Sequence, residues 1–339
     1  MDVQAQKAVV LAHHEALDAG LNGAPGGALA ALERHCAPGM AWLGMHPWNE
    51  IGSLDRLAAE VWEPLAAALR PIQRRPDIFF AGHADGHARP GDWVCEMGHL
   101  LGLFDQPFLG IPPTRKAAFL RFAEFSRVDA GRIVEQALFL DLGFLMHQAG
   151  VSPFPSHTGA VVLTPGPRTH DGLLLDARPP EEGRATLALI DRMIARLVAA
   201  GVRADVDDLR HDWRPDMLWW GPSGIGASYT QGRYVEQHCR PFEQGLGFVR
   251  HDGHETRIAE GGFGGFFGYP SLVMRTLGGY MGVTTASERE FEMRIVDIYR
   301  REGDLLAENW IFIDHLHVLH QLGHDALARV RAAREGWGA

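Results

Sequence analysis

RIVDIYRREGDLLAENWIFIDHLHVLHQLG occupies residues 294–323, and its reading decides the fold. Ile295, Asp297 and Tyr299 alternate with Arg294, Val296 and Ile298, the period of two that marks a strand. Glu302-Gly303-Asp304 supplies a turn, after which Glu308, Trp310, Phe312 and Asp314 share one face of a returning strand. A helix is predicted from about 315 to 335. Shifted by 173 residues, the same stretch superposes on RFAEFSRVDAGRIVEQALFLDLGFLMHQAG at 121–150 with eight of thirty positions identical, among them Glu135/Glu308, Phe139/Phe312 and Asp141/Asp314. Average composition would give roughly two by accident. The chain therefore duplicates one hairpin-plus-helix unit.

Working outward, MAWLG (40–44) answers MLWWG (217–221) and Pro64 answers Pro241, both at an offset of 177. The duplicated unit is about 150 residues long, a common domain size. The reading is a first copy at 1–155, a Pro-rich linker at 156–183 holding the stretch VVLT (161–164) as a short strand, and a second copy at 184–339. Each copy opens with a helix: Val3, Val10, Leu17 and Leu21 stripe one, and Ile190, Met193, Ile194 and Leu197 stripe the other. An aromatic segment, a second helix (54–69, 231–246) and several strands follow. Helices grouped before strands indicate α+β, not a doubly wound parallel sheet.

Composition narrows the function classes. The 339 residues are 46% hydrophobic and 22% charged, which is ordinary globular usage. A net charge of −10 with no basic cluster argues against nucleic-acid binding. No apolar run reaches 18 residues, so no membrane helix is expected. MDVQAQKAVV has no basic-then-apolar leader pattern, and three scattered cysteines fit neither a disulfide framework nor a paired zinc site; a reducing cytoplasm is the expected location.

The strand-end acids carry the chemical interest. Asp314 closes a strand face lined by Trp310 and Phe312, and Asp141 closes one containing Phe139, with Ala137 in place of the tryptophan. A carboxylate against apolar walls has a raised pKa and can shuttle a proton. An Asp directly before a helix is equally a good N-cap, so two roles stay open. A second acid, Asp297, faces Asp314 across the hairpin register and is matched in the first copy by Glu124. Arg294 and Arg121 stand beside them, either to hold one acid ionised or to fix the hairpin as a salt bridge. Strand alternation places Asp297 and Arg294 on opposite faces unless a bulge intervenes. HADGH (83–87) and His315, His317 and His320 lack the convergence of a catalytic zinc site, so no metal is expected. GGFGGFFGYP (261–270) is not a phosphate loop; it reads as a pliable lid or bulged strand pair, with Phe266, Phe267 and Tyr269 offered to an apolar ligand. No serine or cysteine nucleophile is marked.

FLGIPPTRKAAF (108–119) with the 125–150 segment, and GPSGIGASY (221–229), GYMGVTTASEREFEMR (279–294) and AENWIFIDHLHVLHQLG (307–323), resemble the SnoaL-like polyketide cyclase family of the nuclear transport factor 2-like fold. The resemblance implies two tandem cone-shaped α+β barrels, each a curved antiparallel sheet wrapped by helices around an apolar pocket. They would pack as a pseudo-dimer in one chain, with a further homodimer left open. It implies an aldol-type acid/base reaction without cofactor or metal, carried by Asp141 or Asp314, with pocket positions near Glu124 and Asp297. The expected ligand is a hydrophobic small molecule bearing a carbonyl, met by Trp42, Trp219, Trp220, Trp310, Phe312, Phe139, Tyr269, Glu308 and His320. Two other readings share the pocket: a binding protein without turnover, and hydration, dehydration or epoxide opening.

Overall fold

The computed structural model describes residues 3–337, with side chains described as far as residue 333. Helices Val3–Asn22 and Gly27–His35 precede β1 (Cys36–Gly44) and β2 (Glu50–Ile51). A helical segment over 54–68 follows, interrupted by a π-turn at Ala58–Trp62. Then come β3 (Leu69–Ala84), β4 (Gly91–Phe104), β5 (Ala117–Asp129), β6 (Arg132–Leu140) and helix Leu142–Gln148. The second half repeats this. Helices Pro180–Ala199 and Val206–Leu209 lead to β7 (Trp213–Trp220) and β8 (Ala227–Tyr229), and 231–245 is helical with its own π-turn at Val235–Cys239. Next are β9 (Leu246–His251), β10 (Thr256–Glu260), β11 (Phe263–Thr276), the small β12 (Gly279–Tyr280) and β13 (Val283–Thr284), β14 (Glu290–Glu302), β15 (Leu305–Ile313) and helix His315–Gln321.

The two sheets have the same order. One runs β2-β1-β6-β5-β4-β3 and the other β8-β7-β15-β14-β11-β10, with β9 also on β11. The hairpins pair antiparallel, with Ile295 opposite Ile313 and Phe122 opposite Leu140. One pairing in each sheet is parallel, β1 with β6 and β7 with β15, because the chain crosses the whole unit between them. The architecture is therefore α+β, two tandem curved sheets each backed by its own helices.

Each sheet is apolar on both faces, and the two faces serve different cores. Met293, Ile295, Tyr299, Ile311 and Ile313 face the helices of their own unit. Val296, Ile298, Trp310 and Phe312 face the other unit and meet Phe80, Trp93, Cys95, Phe125 and Phe139 there. The two units thus pack sheet against sheet, as the resemblance implied. Lys7 reaches across this joint to Glu260 at 2.7 Å, and Glu260 accepts from the Ala81 amide.

The duplicated Trp-x-Gly has a steric cause. Trp219 folds over Gly221 so closely that a Cβ there would lie 2.1 Å from the ring, and Trp42 covers Gly44 at 2.2 Å. Only glycine fits beneath either indole.

Three expectations are corrected. VVLT is not a strand; Val161, Val162 and Leu163 are exposed, while the linker on either side is pinned by Gly159 N to Ile225 O, Trp310 Nε1 to Pro165 O and Leu174 N to Phe79 O. The helix expected over 315–335 is two, His315–Gln321 and Ala326–Trp337. Gly323 in the left-handed region ends the first, and Asp325 caps the second. Of the two readings of GGFGGFFGYP the bulged strand pair holds and the lid does not: it runs from the β10–β11 turn into Phe263–Thr276, a central strand with a register shift between Gly268 and Leu272. Phe266 turns inward and Phe267 lies in the inter-unit core.

Candidate active site in the second unit

The strand-end acids stand at the joint between the units. Asp314 Oδ1 accepts from His317 N at 3.1 Å, capping its helix, and Oδ2 accepts from His46 N of the other unit at 2.8 Å. Asp141 does the same, Oδ1 from Phe144 N at 2.9 Å and Oδ2 from Ser223 N at 3.2 Å. Ser223 and His46 are themselves 177 apart, so the two bridges are related by the duplication. Burial raises both carboxyls, Asp314 to about 6 against the pull of His46 N and Arg294. Both oxygens of each acid are nonetheless held by backbone amides. The cap role applies, and the second oxygen ties the units together.

The arginines complete this joint. Arg294 lies 3.4 Å from Asp314, donates to Asn49 and covers the Tyr269 ring at 4.1 Å, while Tyr269 donates to Gly44 O. Arg121 donates to the carbonyls of Trp220, Gly221 and Ile311 and lies 4.0 Å over Phe312. Asp297 does not face Asp314 across the hairpin. It pairs with Ile311, whereas Asp314 N donates to Arg294 O. Of the aromatic ligand contacts expected, Trp310, Phe312 and Phe139 belong to the inter-unit core, with Trp220 and Tyr269 against it. Glu308 is buried in an ion pair with Arg300 at 2.6 Å and accepts from Arg168 N of the linker. His320 stacks on His46 at 4.6 Å. Glu308, Trp310, Phe312 and Asp314 share a face as read, but that face is covered by protein, and His320 is exposed on the helix that follows.

The opposite face of the same hairpin opens on a chamber. A cavity of about 520 Å³ lies inside the second unit, walled by Met193, Trp219, Tyr234, Phe242, Ile295 and Ile311. Exposed Arg196, Arg203 and Asp208 mark its rim. Asp297 stands in its wall and accepts from Asn309 Nδ2 at 2.9 Å and from Tyr299. Burial among apolar groups overrides those bonds and pushes its carboxyl up to about 7. Burial also raises the Tyr234 and Tyr299 hydroxyls, which keep their protons, and pulls His238 down to about 4, so that imidazole is neutral. Among the candidates read from the sequence, Asp297 and Trp219 reach this chamber. Tyr234, His238, Tyr299 and Asn309 were missed. Tyr299 and Asn309 share the strand phase of Asp297, the one signal that would have found them.

The first unit has a different interior. Leu57, Val61, Trp62 and Phe122 stand where the second has Tyr234, His238, Cys239 and Ile295, and all four are fully packed. Trp42 lies in this core, edge-on to Trp48. Glu124, at the Asp297 position, is locked by His14 at 2.6 Å, with Glu96 and Arg74 beside it. Burial opposes its charge, but His14 and Arg74 outweigh that and hold it down at about 2; burial and Arg74 likewise oppose the charge of His14, but Glu96 and Glu124 together raise it to about 9. An ionised, ion-paired carboxylate is a poor proton acceptor. The duplication has left one unit open and protonatable, the other closed and charged.

Fold and site together define a tandem α+β barrel protein with an acid-bearing apolar chamber in its second unit. No protein-family model matches the chain, and no curated protein does. Solved structures do. One, from Jannaschia sp., is described as a SnoaL-like polyketide cyclase: 19% identity, covering 45% of this chain and 97% of its own, TM-score 0.34. A nuclear transport factor 2-like protein from Burkholderia thailandensis gives 24%, 44%, 98% and 0.32. AclR from Streptomyces galilaeus, described as a hydroxylase, gives 18%, 45%, 100% and 0.34.

Proposed function

We propose that the second unit's chamber takes a hydrophobic, carbonyl-bearing small molecule and that Asp297 moves a proton next to that carbonyl without a cofactor. The observation that carries this is the placement of Asp297: a buried carboxyl with a pKa about 7, in the wall of an apolar cavity large enough for a drug-sized molecule. A base poised near neutral pH takes a proton and returns it, worth about 10²–10⁴-fold in rate. Asn309 and Tyr299 fix the carboxyl's orientation, and Tyr234 presents a protonated hydroxyl to charge developing on the carbonyl oxygen. The apolar walls exclude water from the resulting enolate, which then closes a ring or isomerises.

The test is exchange of α-protons with deuterium in a hydrophobic ketone such as β-tetralone. Wild type exchanges and Asp297→Asn loses at least about 100-fold. Equal exchange by the two removes Asp297 from the reaction, and saturable binding without exchange by either makes the protein a binder.

A further inference from the structure

Behind the helical segment 231–245 lies a second cavity of about 330 Å³, and His238 and Phe242 line both it and the Asp297 chamber. We infer that this cavity is a second compartment of the same ligand site, separated from the first by those two side chains, and that it takes a neutral, polar extension of the ligand. The inference rests on reading the Asp297 chamber as the substrate site.

Three observations carry it. The first is the partition itself. The π-turn at Val235–Cys239 places His238 between the cavities, stacked on Trp219 at 4.3 Å and against Phe242, with no hydrogen bond to any described residue. Turning this ring aside breaks ring contacts with Trp219, Tyr234 and Phe242 but no hydrogen bond. In the first unit the same turn carries Val61 and Leu65 at these positions, both fully buried in core, so the opening belongs to the second copy.

The second observation is the lining. Ser156 and Thr158 of the linker line it together with Gln237 and Gln244 of the helix; three of these are exposed at its mouth, and no charged side chain contributes among the described residues. Amides and hydroxyls hydrogen-bond neutral oxygen and nitrogen groups and offer no counter-charge. An ether, hydroxyl or amide is thereby matched, and a carboxylate or ammonium gains no ion pair. The third is how the volume is made. Gly245 and Gly279 leave space where side chains would stand; a Cβ on Gly245 would meet nothing nearer than the Gly279 carbonyl at 3.6 Å. The space can therefore be filled without distorting the backbone.

The experiment compares two probes by titration calorimetry: β-tetralone, which fits the chamber, and a β-tetralone ether carrying a neutral oligo(ethylene glycol) tail. In Gly245→Leu the tailed probe binds about tenfold more weakly than to wild type, while β-tetralone stays within about twofold. Thr158→Leu, on the linker wall, gives the same pattern by an independent route should the glycine variant fold poorly. If β-tetralone binds the wild type but the tailed probe is indifferent to both substitutions, the second compartment is refuted and the chamber stands. If β-tetralone does not bind at all, the chamber reading fails and takes this inference with it.

Discussion

Replacing Asp297 with Asn makes the protein more stable at neutral pH, in a pH-dependent way. In the unfolded chain this carboxyl has its ordinary value of 3.8; in the folded chamber it lies at about 7. Between those values the unfolded state has released the proton and the native state keeps it, so native stability falls as pH rises. Three pH units at 1.36 kcal/mol each amount to roughly 4 kcal/mol, fully present as a penalty above pH 7 and absent below about pH 4. Asn has no such ionisation, and its carbonyl still accepts from Asn309. The assay is urea unfolding of wild type and Asp297→Asn from pH 4 to 8, where the difference climbs with pH and levels off. Asp314 and Asp141 titrate in both proteins and cancel. A difference that stays flat across this range would show that Asp297 ionises as an exposed carboxylate does, and the electrostatic reasoning would be refuted.

Three further outcomes follow from the geometry. Asp314→Ala and Asp141→Ala each remove a helix cap, about 1 kcal/mol, and orphan a buried amide of the other unit, about 1–3 kcal/mol. Denaturation should show both losses, Asn, which has a single acceptor oxygen for two backbone amides, should restore only one of the two, and Asp314→Asn should leave ketone exchange intact. His14, raised to about 9, contributes stability that is complete below its ordinary 6.5 and disappears as pH rises through 9. His14→Gln should abolish that alkaline limb in urea titrations at pH 6–10, and an unchanged limb would assign it elsewhere. Gly221→Ala puts a methyl into the Trp219 ring and should cost about 1–3 kcal/mol with a changed near-ultraviolet dichroism signal; an unchanged signal would mean the indole does not rest on this glycine.

Much of the fold was legible in the residues because a duplication prints itself twice. The hairpin at 294–313, its counterpart at 121–140 and the helix after each acid followed from period-two alternation and repeated identities. What alternation cannot say is which face of a strand looks inward. Val296 and Ile298 are as apolar as Ile295 and Ile311, because the sheet is covered on one side by its own helices and on the other by the second unit. Trp310, Phe312 and Asp314 therefore read as a pocket wall although they are a joint, and Asp297, in the other phase, carried the chamber. The parallel pairing of β1 with β6 depends on a contact between segments about 100 residues apart that no local pattern records. The difference between the two interiors was present in the sequence, as Val61 against His238 and Phe122 against Ile295. It becomes readable only once those positions are known to face the cavity.

The pH dependence of ketone α-proton exchange addresses the central assignment most directly. With Asp297 as the acceptor, kcat/KM rises with pH through an inflection near 7 and then levels, because the ionised form does the work. An inflection at about 4, where an unperturbed carboxylate titrates, or a profile unchanged in Asp297→Asn, would contradict it.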